Sequence, residues 1–394
     1  MSRAAARAAL PRTVWALGIV SLLMDSSSEL VHALLPLYMT SVLGASMLEV
    51  GLVEGVAEGT AAIVKVFSGT LSDWLARRKL LLVLGYGLAA LSKPFFPLAT
   101  SIGWVAGARF ADRVGKGIRG APRDALVADV TPPELRGAAY GLRQALDSVG
   151  AVLGPLAAVA LMALFAESLR AALWAAVVPA LACLLVIAFG VREPERAAQA
   201  AQPASPLSRA MLARLGARYW LVVVLGAVLT LARFSEAFLV LRAADVGLAQ
   251  TWVPLVIAAM SAVYALTSYP AGIAADRGKQ RALIGWGLAV LIASDLILGA
   301  ARGPSALFAG VALWGVHMGL TQGLLAALVA RSAPAEARGT AFGVFNLVSG
   351  LALIGASLLA GWLWSAFGPA WTFYAGAAFT ALALAGLLAA SRPR

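Results

Sequence analysis

The chain has one cysteine, Cys183, and only two histidines, His32 and His317, in 394 residues. A single thiol forms no intramolecular disulfide and no cysteine-metal cluster, and there is no tight set of Met and His ligands, so no metal site is expected. Charge is scarce too. Only 13% of residues are charged, against about 25% in soluble domains. The loops carry no catalytic constellation and no glycine-rich phosphate cradle. The chain therefore reads as a non-enzyme without a cofactor or an ATP-driven motor.

What it has instead is apolar surface, 61% of residues, more than one soluble core can hide. Twelve long apolar runs recur, at 14–38, 47–70, 80–98, 104–127, 137–165, 169–190, 219–241, 251–275, 282–300, 305–330, 340–364 and 370–390. A hydrocarbon core ~30 Å thick needs ~20 residues of helix, which each run supplies. The expectation is an all-α membrane protein with twelve transmembrane helices. The first run has a basic start but carries Asp25 and Glu29 and no tidy cleavage site, so it reads as a retained helix and not a signal peptide.

The net charge of +12 follows from topology. With both termini inside, Arg3, Arg7, Arg77, Arg78, Lys79, Arg136 and most other loop cations fall on the cytoplasmic side, leaving Arg170, Arg302 and Arg242 outside. No nucleic-acid partner is needed to explain it. The expected setting is a bacterial cytoplasmic membrane, the expected state a monomer, and the expected partners lipid, protons and a small-molecule or ion substrate. Trp15, Trp104, Trp220, Trp252, Trp362 and Trp371 sit near run ends as interfacial anchors, whereas Trp314 and Tyr264 read as packing residues with a cavity wall as the alternative.

Residues 192–218, rich in charge and proline, form a linker between 1–191 and 219–394. The two parts repeat. GTLSD (69–73) returns as GIAAD (272–276), ALVADVTPPELRGAAYG (125–141) returns as ALVARSAPAEARGTAFG (327–343), and Ser28-Glu29 is echoed by Ser235-Glu236. Such repeats, related by an axis along the membrane normal, belong to two six-helix halves. Over essentially its whole length the chain resembles the major facilitator superfamily. GTLSDWLARRK, with Gly69, Asp73, Arg77 and Arg78, is similar to the signature loop between helices 2 and 3, and Gly272, Asp276 and Arg277 supply a second copy. GAVLGP, with Gly150, Gly154 and Pro155, resembles the helix 5 motif of the drug/proton antiporter branch. The resemblance implies two pseudo-symmetric six-helix bundles, alternating access, a cytoplasmic latch built on Asp73, and proton-coupled efflux of a small organic solute. Transport of an anionic solute or a metal ion is the alternative, and a non-transporting receptor the third reading.

GKGIRG (115–120) also matches the dinucleotide fingerprint G-x-G-x-x-G. That motif needs a strand before it; here it lies inside the fourth run, where small residues let helices approach closely. Around it Arg109, Arg113, Lys116, Arg119 and Arg123 share one helical face, which must turn away from lipid because a charge at the bilayer centre costs at least ~3 kcal/mol. Counter-charges stand at i,i+4 spacing on the first run (Asp25, Glu29) and the second (Glu54, Glu58). Asp112, Asp124, Asp147 and Lys93 read as structural neutralisers. A carboxylate holds its proton less tightly beside an arginine and more tightly in a dry, unpaired setting, so a change of access can load and release it. RVGKG (113–117) is similar to a fourth-helix motif of proton antiporters, whose arginine meets an acidic residue of helix 1. On that resemblance Asp25, Glu29 and Arg113 are the proton-coupling residues, with at least one of the two carboxylates beside Arg113. His32, Glu54, Glu58, Arg109, Lys116, Arg119, Glu236, His317, Gln322 and Asn346 complete the candidates for a charged cavity or substrate site.

Overall fold

In lipid, an apolar segment satisfies all its backbone N–H and C=O groups internally only as a helix. The computed structural model describes residues 10–75, 77–194, 209–334 and 337–389; Arg3, Arg7 and most of the expected linker, 195–208, lie outside the described residues. Among those described there is no strand. The helices group into twelve rods: α1 (Arg12–Val42), α2 (Met47–Leu75), α3 (Arg78–Leu98), α4 (Ile102–Val130), α5 (Arg136–Leu164), α6 (Leu169–Gly190), α7 (Ala217–Asp245), α8 (Leu255–Ala274), α9 (Gln280–Ala300), α10 (Pro304–Ser332), α11 (Arg338–Phe367) and α12 (Pro369–Ala389).

By length and hydropathy alone, nine membrane spans are found among the described residues, one of which, Leu255–Ala300, holds both α8 and α9. The turn between those two requires Gly278, whose φ of 83° is in the left-handed region. The two rods absent from that set are α2 and α4, the two that carry most of the intramembrane charge. They pack against each other, which is how each stays out of lipid.

The packing scheme repeats every six helices. α1 lies on α5 and α6 as α7 lies on α11 and α12; α2 and α3 both cover α4 as α8 and α9 both cover α10; α3 meets α6 as α9 meets α12. The halves join where α2 packs on α11 and α5 on α8. Gly55 and Gly59 make the first contact possible. A Cβ on Gly55 would sit 2.9 Å from Ser357 Cβ, and one on Gly59 would sit 2.8 Å from the Gly350 carbonyl, so only small residues let these backbones come so close.

Call the end of the bundle that carries residues 12 and 389 the terminal face, and the other the distal face. Toward the distal face one buried apolar cluster bridges both halves, from Leu34, Val50 and Val53 to Phe238, Val256 and Trp364. Toward the terminal face it gives way to two separate clusters. One is built from the first half (Leu17, Leu82, Leu126, Ala139, Ile187) and the other from the second (Tyr219, Val329, Ala341, Val344). The halves are thus sealed distally and parted on the terminal side.

Candidate functional site

Between the parted halves lies a cavity of about 420 Å³, within the ~300–1,000 Å³ usual for small-molecule sites. Its walls come from both halves. The first contributes Glu29 and His32 of α1, Glu58 of α2, Arg113 and Lys116 of α4 and Ala151 of α5; the second contributes Arg233, Phe234, Ser235 and Glu236 of α7, Met260, Ser261 and Tyr264 of α8, Trp314, Met318 and Gln322 of α10 and Leu353 of α11. Lys116 and Gln322, toward the terminal face, are exposed, whereas Trp314 deeper in is 1% exposed.

Behind the first-half wall the charges form a continuous network. Arg109 donates from Nε to Glu54 Oε1 at 3.1 Å and from Nη2 to Glu54 Oε2 at 2.7 Å. This forked geometry fits a guanidinium to a carboxylate. Arg113 Nη1 lies 3.2 Å from Glu58 Oε1, and its Nε lies 3.4 Å from Asp112 Oδ2. Asp112 also accepts from Lys93 Nζ at 2.8 Å, and Lys93 donates to Ser28 Oγ of α1 at 3.0 Å. Glu54 is fully buried, while the Glu58 side chain is 28% exposed to the cavity. One carboxylate is locked in and the other can meet solvent. A separate pair stands on α1, where His32 Nδ1 lies 3.2 Å from Glu29 Oε2.

Glu29 shares the cavity wall with Arg113, but the direct ion pairs of Arg113 go elsewhere. Arg113 pairs with Glu58 of α2 and Asp112 of its own helix, and with neither Asp25 nor Glu29. Gly150 and Gly154 explain where those two go. A Cβ on Gly150 would lie 3.2 Å from Asp25 Cβ, and one on Gly154 would lie 3.0 Å from Glu29 Cβ, so the helix 5 motif draws α5 onto the α1 face that bears both carboxylates. Asp25 is left next to Asp147 of α5, away from the cavity wall. Pro155 lies inside α5 without interrupting it.

The cationic face of α4 also divides. Arg109 and Arg113 turn to α2; Arg119 lies over the Tyr86 ring of α3, 4.6 Å from its centroid; Arg123 donates to Ser21 Oγ at 3.1 Å and faces Asp147 at 3.6 Å. The glycines of GKGIRG serve packing. A Cβ on Gly115 would come within 2.5 Å of the Gly85 carbonyl of α3, and one on Gly117 within 2.6 Å of Val64 of α2.

In the second half, His317 and Asn346 are not on the cavity wall. His317 is fully buried, with Nδ1 2.8 Å from the Gly287 carbonyl of α9. Trp314 and Tyr264, read from sequence as packing residues, line the cavity instead. The feature missed from sequence is a break in α7. Its first half-helix ends at Ala232 and its second begins at Ala237. At the break Ser235 Oγ accepts from Ala237 N at 3.2 Å, and Ser235 N donates to Ser357 Oγ at 3.3 Å, so hydroxyls replace helical carbonyls as partners. The polar quartet Arg233-Phe-Ser-Glu236 inside an apolar run was the signal that could have shown it. Arg233 and Glu236 face the cavity without an ion pair among the described residues, as does Lys116. Trp314 Nε1 and Arg113 Nη2 are buried donors with no hydrogen-bond partner.

Of the expected latch, Gly69 packs near Ala121 of α4, Arg77 is exposed, and Arg78 N and Lys79 N donate to Glu193, just after α6, at 2.5 and 3.1 Å. Gly272, Asp276 and Arg277 are exposed. The side chain of Asp73 lies outside the described residues. The six interfacial tryptophans are each more than 40% exposed on the outer surface.

The Major Facilitator Superfamily family model matches residues 17–241 and 231–394. An uncharacterized MFS-type transporter of Methanocaldococcus jannaschii is 31% identical over 380 residues, covering 93% of this chain and 92% of that protein. An uncharacterized protein of Mycobacterium tuberculosis is 32% identical over 362 residues, 90% of this chain and 87% of its own length. Among solved structures, a bacterial homologue of the human lysosomal transporter Spinster, inward-facing and unoccupied, superimposes with a TM-score of 0.76 at 18% identity, covering 98% of each chain.

Proposed function

The chain belongs to the major facilitator superfamily and is a multi-pass secondary transporter, and on that premise we propose that it exchanges protons for a small organic solute, exporting the solute by alternating access. The observation that supports this reading is the cavity wall at the junction of the halves, where the Glu58–Arg113 pair and the Glu29–His32 pair both meet the open space. A proton reaching Glu58 cancels one of the two charges that hold Arg113, and the guanidinium, still anchored by Asp112, offers its Nη1 side to an incoming acceptor. Proton and solute then compete for one set of charges. A shift between access states follows if the two forms pair differently in each state.

In this reading the terminal face is cytoplasmic, placing both termini inside a bacterial cytoplasmic membrane, and the structure corresponds to a cytoplasm-open state of a monomer. Gly69, Asp73, Arg77, Arg78, Gly272, Asp276 and Arg277 close the terminal face when the halves rock together. Asp73 then caps a helix N-terminus of the opposite half, where a carboxylate is favoured.

A second reading has its own support. The unpaired cations Lys116 and Arg233 and the orphan donors Trp314 Nε1 and Arg113 Nη2 favour a solute with an acidic, acceptor-rich head. Among the described residues no group of three or more His, Cys, Asp or Glu side chains is placed to hold a metal, and the metal-ion alternative draws no support from the cavity.

The test is flux in proteoliposomes that carry a pH dye, challenged with a panel of organic cations, organic anions and divalent metals. Proton movement that follows one organic class supports the exchange. Solute flux with no linked proton movement would remove the coupling, and metal-linked flux would replace the substrate class.

A further inference from the structure

Asp295 of α9 is 0% exposed, and neither carboxyl oxygen has a hydrogen-bond partner. It is the only carboxylate among the described residues with both oxygens buried and unpartnered. None of the charged groups on the neighbouring helices pairs with it. From α7, Arg242 directs its guanidinium to the carbonyls of Leu298, Gly299 and Ala301 and to Asp245, while Arg233 and Glu236 face the central cavity. From α10, His317 bonds to the Gly287 carbonyl. The titratable group on α12, Tyr374, packs on Gly299.

A second oxygen converges on the same spot. A Cβ placed on Gly376 of α12 would lie 2.7 Å from Asp295 Oδ2 and 3.3 Å from the carbonyl oxygen of Ala232. Ala232 is the last residue of the first half-helix of α7, and no backbone donor among the described residues meets its carbonyl. The end of a helix carries about half a negative charge on such carbonyls. A bare carboxylate beside it, with no counter-charge in a membrane interior, is disfavoured twice over. Two oxygens that border one small space and lack a donor favour a cation there, and unwound half-helix ends hold coupling ions in other carrier folds. One unit of negative charge in an otherwise neutral shell balances a monovalent ion.

We propose that Asp295, the Ala232 carbonyl and the space beside Gly376 form a binding site for a monovalent cation, a proton or a sodium ion, in the second half of the protein. Phe234 stands between this site and the central cavity. It lines the cavity, and its Cε1 comes 3.1 Å from the same Cβ position on Gly376. Phe234 lies in the unwound stretch of α7, and admitting the ion requires its ring to turn away from Phe238, Trp314 and Phe373.

The test uses the full-length protein in detergent, wild type against Asp295→Asn, the uncharged isostere. Infrared spectra in sodium-free choline buffer give a protonated-carboxyl band, shifted by aspartate labelled with carbon-13 at the side chain, that is lost in the variant if a proton is bound. If sodium is the occupant, that band is absent, and sodium raises the wild-type thermal midpoint over choline by several degrees but leaves the variant unmoved. Identical carboxyl bands together with identical sodium responses in the two proteins would overturn the site. If the variant does not fold, wild type with neither an aspartic-acid band nor a sodium response overturns it equally. Neither arm measures transport, so the site stands or falls apart from the exchange scheme.

Discussion

The two halves share a packing scheme but treat polar groups in opposite ways. In the first, a continuous chain of intramembrane charges runs from Lys93 through Asp112 and Arg113 to Glu58, with Arg109 forked onto Glu54. In the second, Arg233 and Glu236 stand unpaired, Asp295 and Trp314 Nε1 have no partner, and the first helix is broken where its counterpart α1 runs on unbroken through Ser28 and Glu29. A linked network resists rearrangement, because each member that moves leaves a buried charge behind. Unpaired groups beside a broken helix can move at little cost. On the proposed exchange, the difference gives the first half stiffness and the Glu58 proton step, and the second half adaptation to the solute.

That contrast is broken most severely at Arg109. Arg109→Met strands the buried Glu54, at a cost of about 3–5 kcal/mol, and is expected to abolish recovery of folded protein by size-exclusion chromatography. Adding Glu54→Leu should restore most of it, since the two removed charges no longer need each other.

A smaller effect is expected at the seam between the halves. Gly55→Ala places a methyl 2.9 Å from Ser357 Cβ, and overpacking of about 1–3 kcal/mol should weaken the distal seal. The labelling rate of a distal Val50→Cys thiol, placed in the buried cluster that bridges the halves and measured in a Cys183→Ser background, should rise by about 5- to 150-fold if the full cost falls on the sealed state.

In the second half, Trp314→Phe keeps the ring and removes the orphan N–H. Half-saturation for acidic solutes should rise by up to about tenfold, the worth of one hydrogen bond, while His317→Phe, away from the wall, leaves it unchanged. The smallest change is expected for Asp73→Asn. It removes one helix cap, worth about 0.3–1 kcal/mol, and should raise terminal-face thiol accessibility only a few-fold. Unchanged accessibility would count against the latch.

Much of this was legible in the residues. Run length and hydropathy located the rods to within a few positions, and even α2 and α4, too charged to register as spans, were visible as apolar runs with one polar face. The cation face of α4 followed from helical spacing. Its partner did not, because whether α1 or α2 faces Arg113 depends on how each helix is rotated about its own axis. That rotation is set by the contacts of Gly150 and Gly154 with α1, which no spacing rule contains. The α7 break was hidden for a similar reason: Ser235 acts as a cap only because Ser357, 122 residues later, accepts its N–H. Asp295 looked like any polar residue in an apolar run, and only the packing around Gly376 reveals that it has no partner.

The most direct measurement is pH-gradient-driven solute flux by Glu29→Gln combined with Glu58→Gln in proteoliposomes, with solute counterflow measured in the same vesicles. Gradient-driven flux and its linked proton movement are expected to be lost while counterflow persists, because the cavity remains and only the two first-half carboxylates on its wall are neutralised. Gradient-driven flux that survives the double substitution with its pH dependence intact would contradict the proposed exchange, and the first-half network would then be a set of buried ion pairs that only hold helices together.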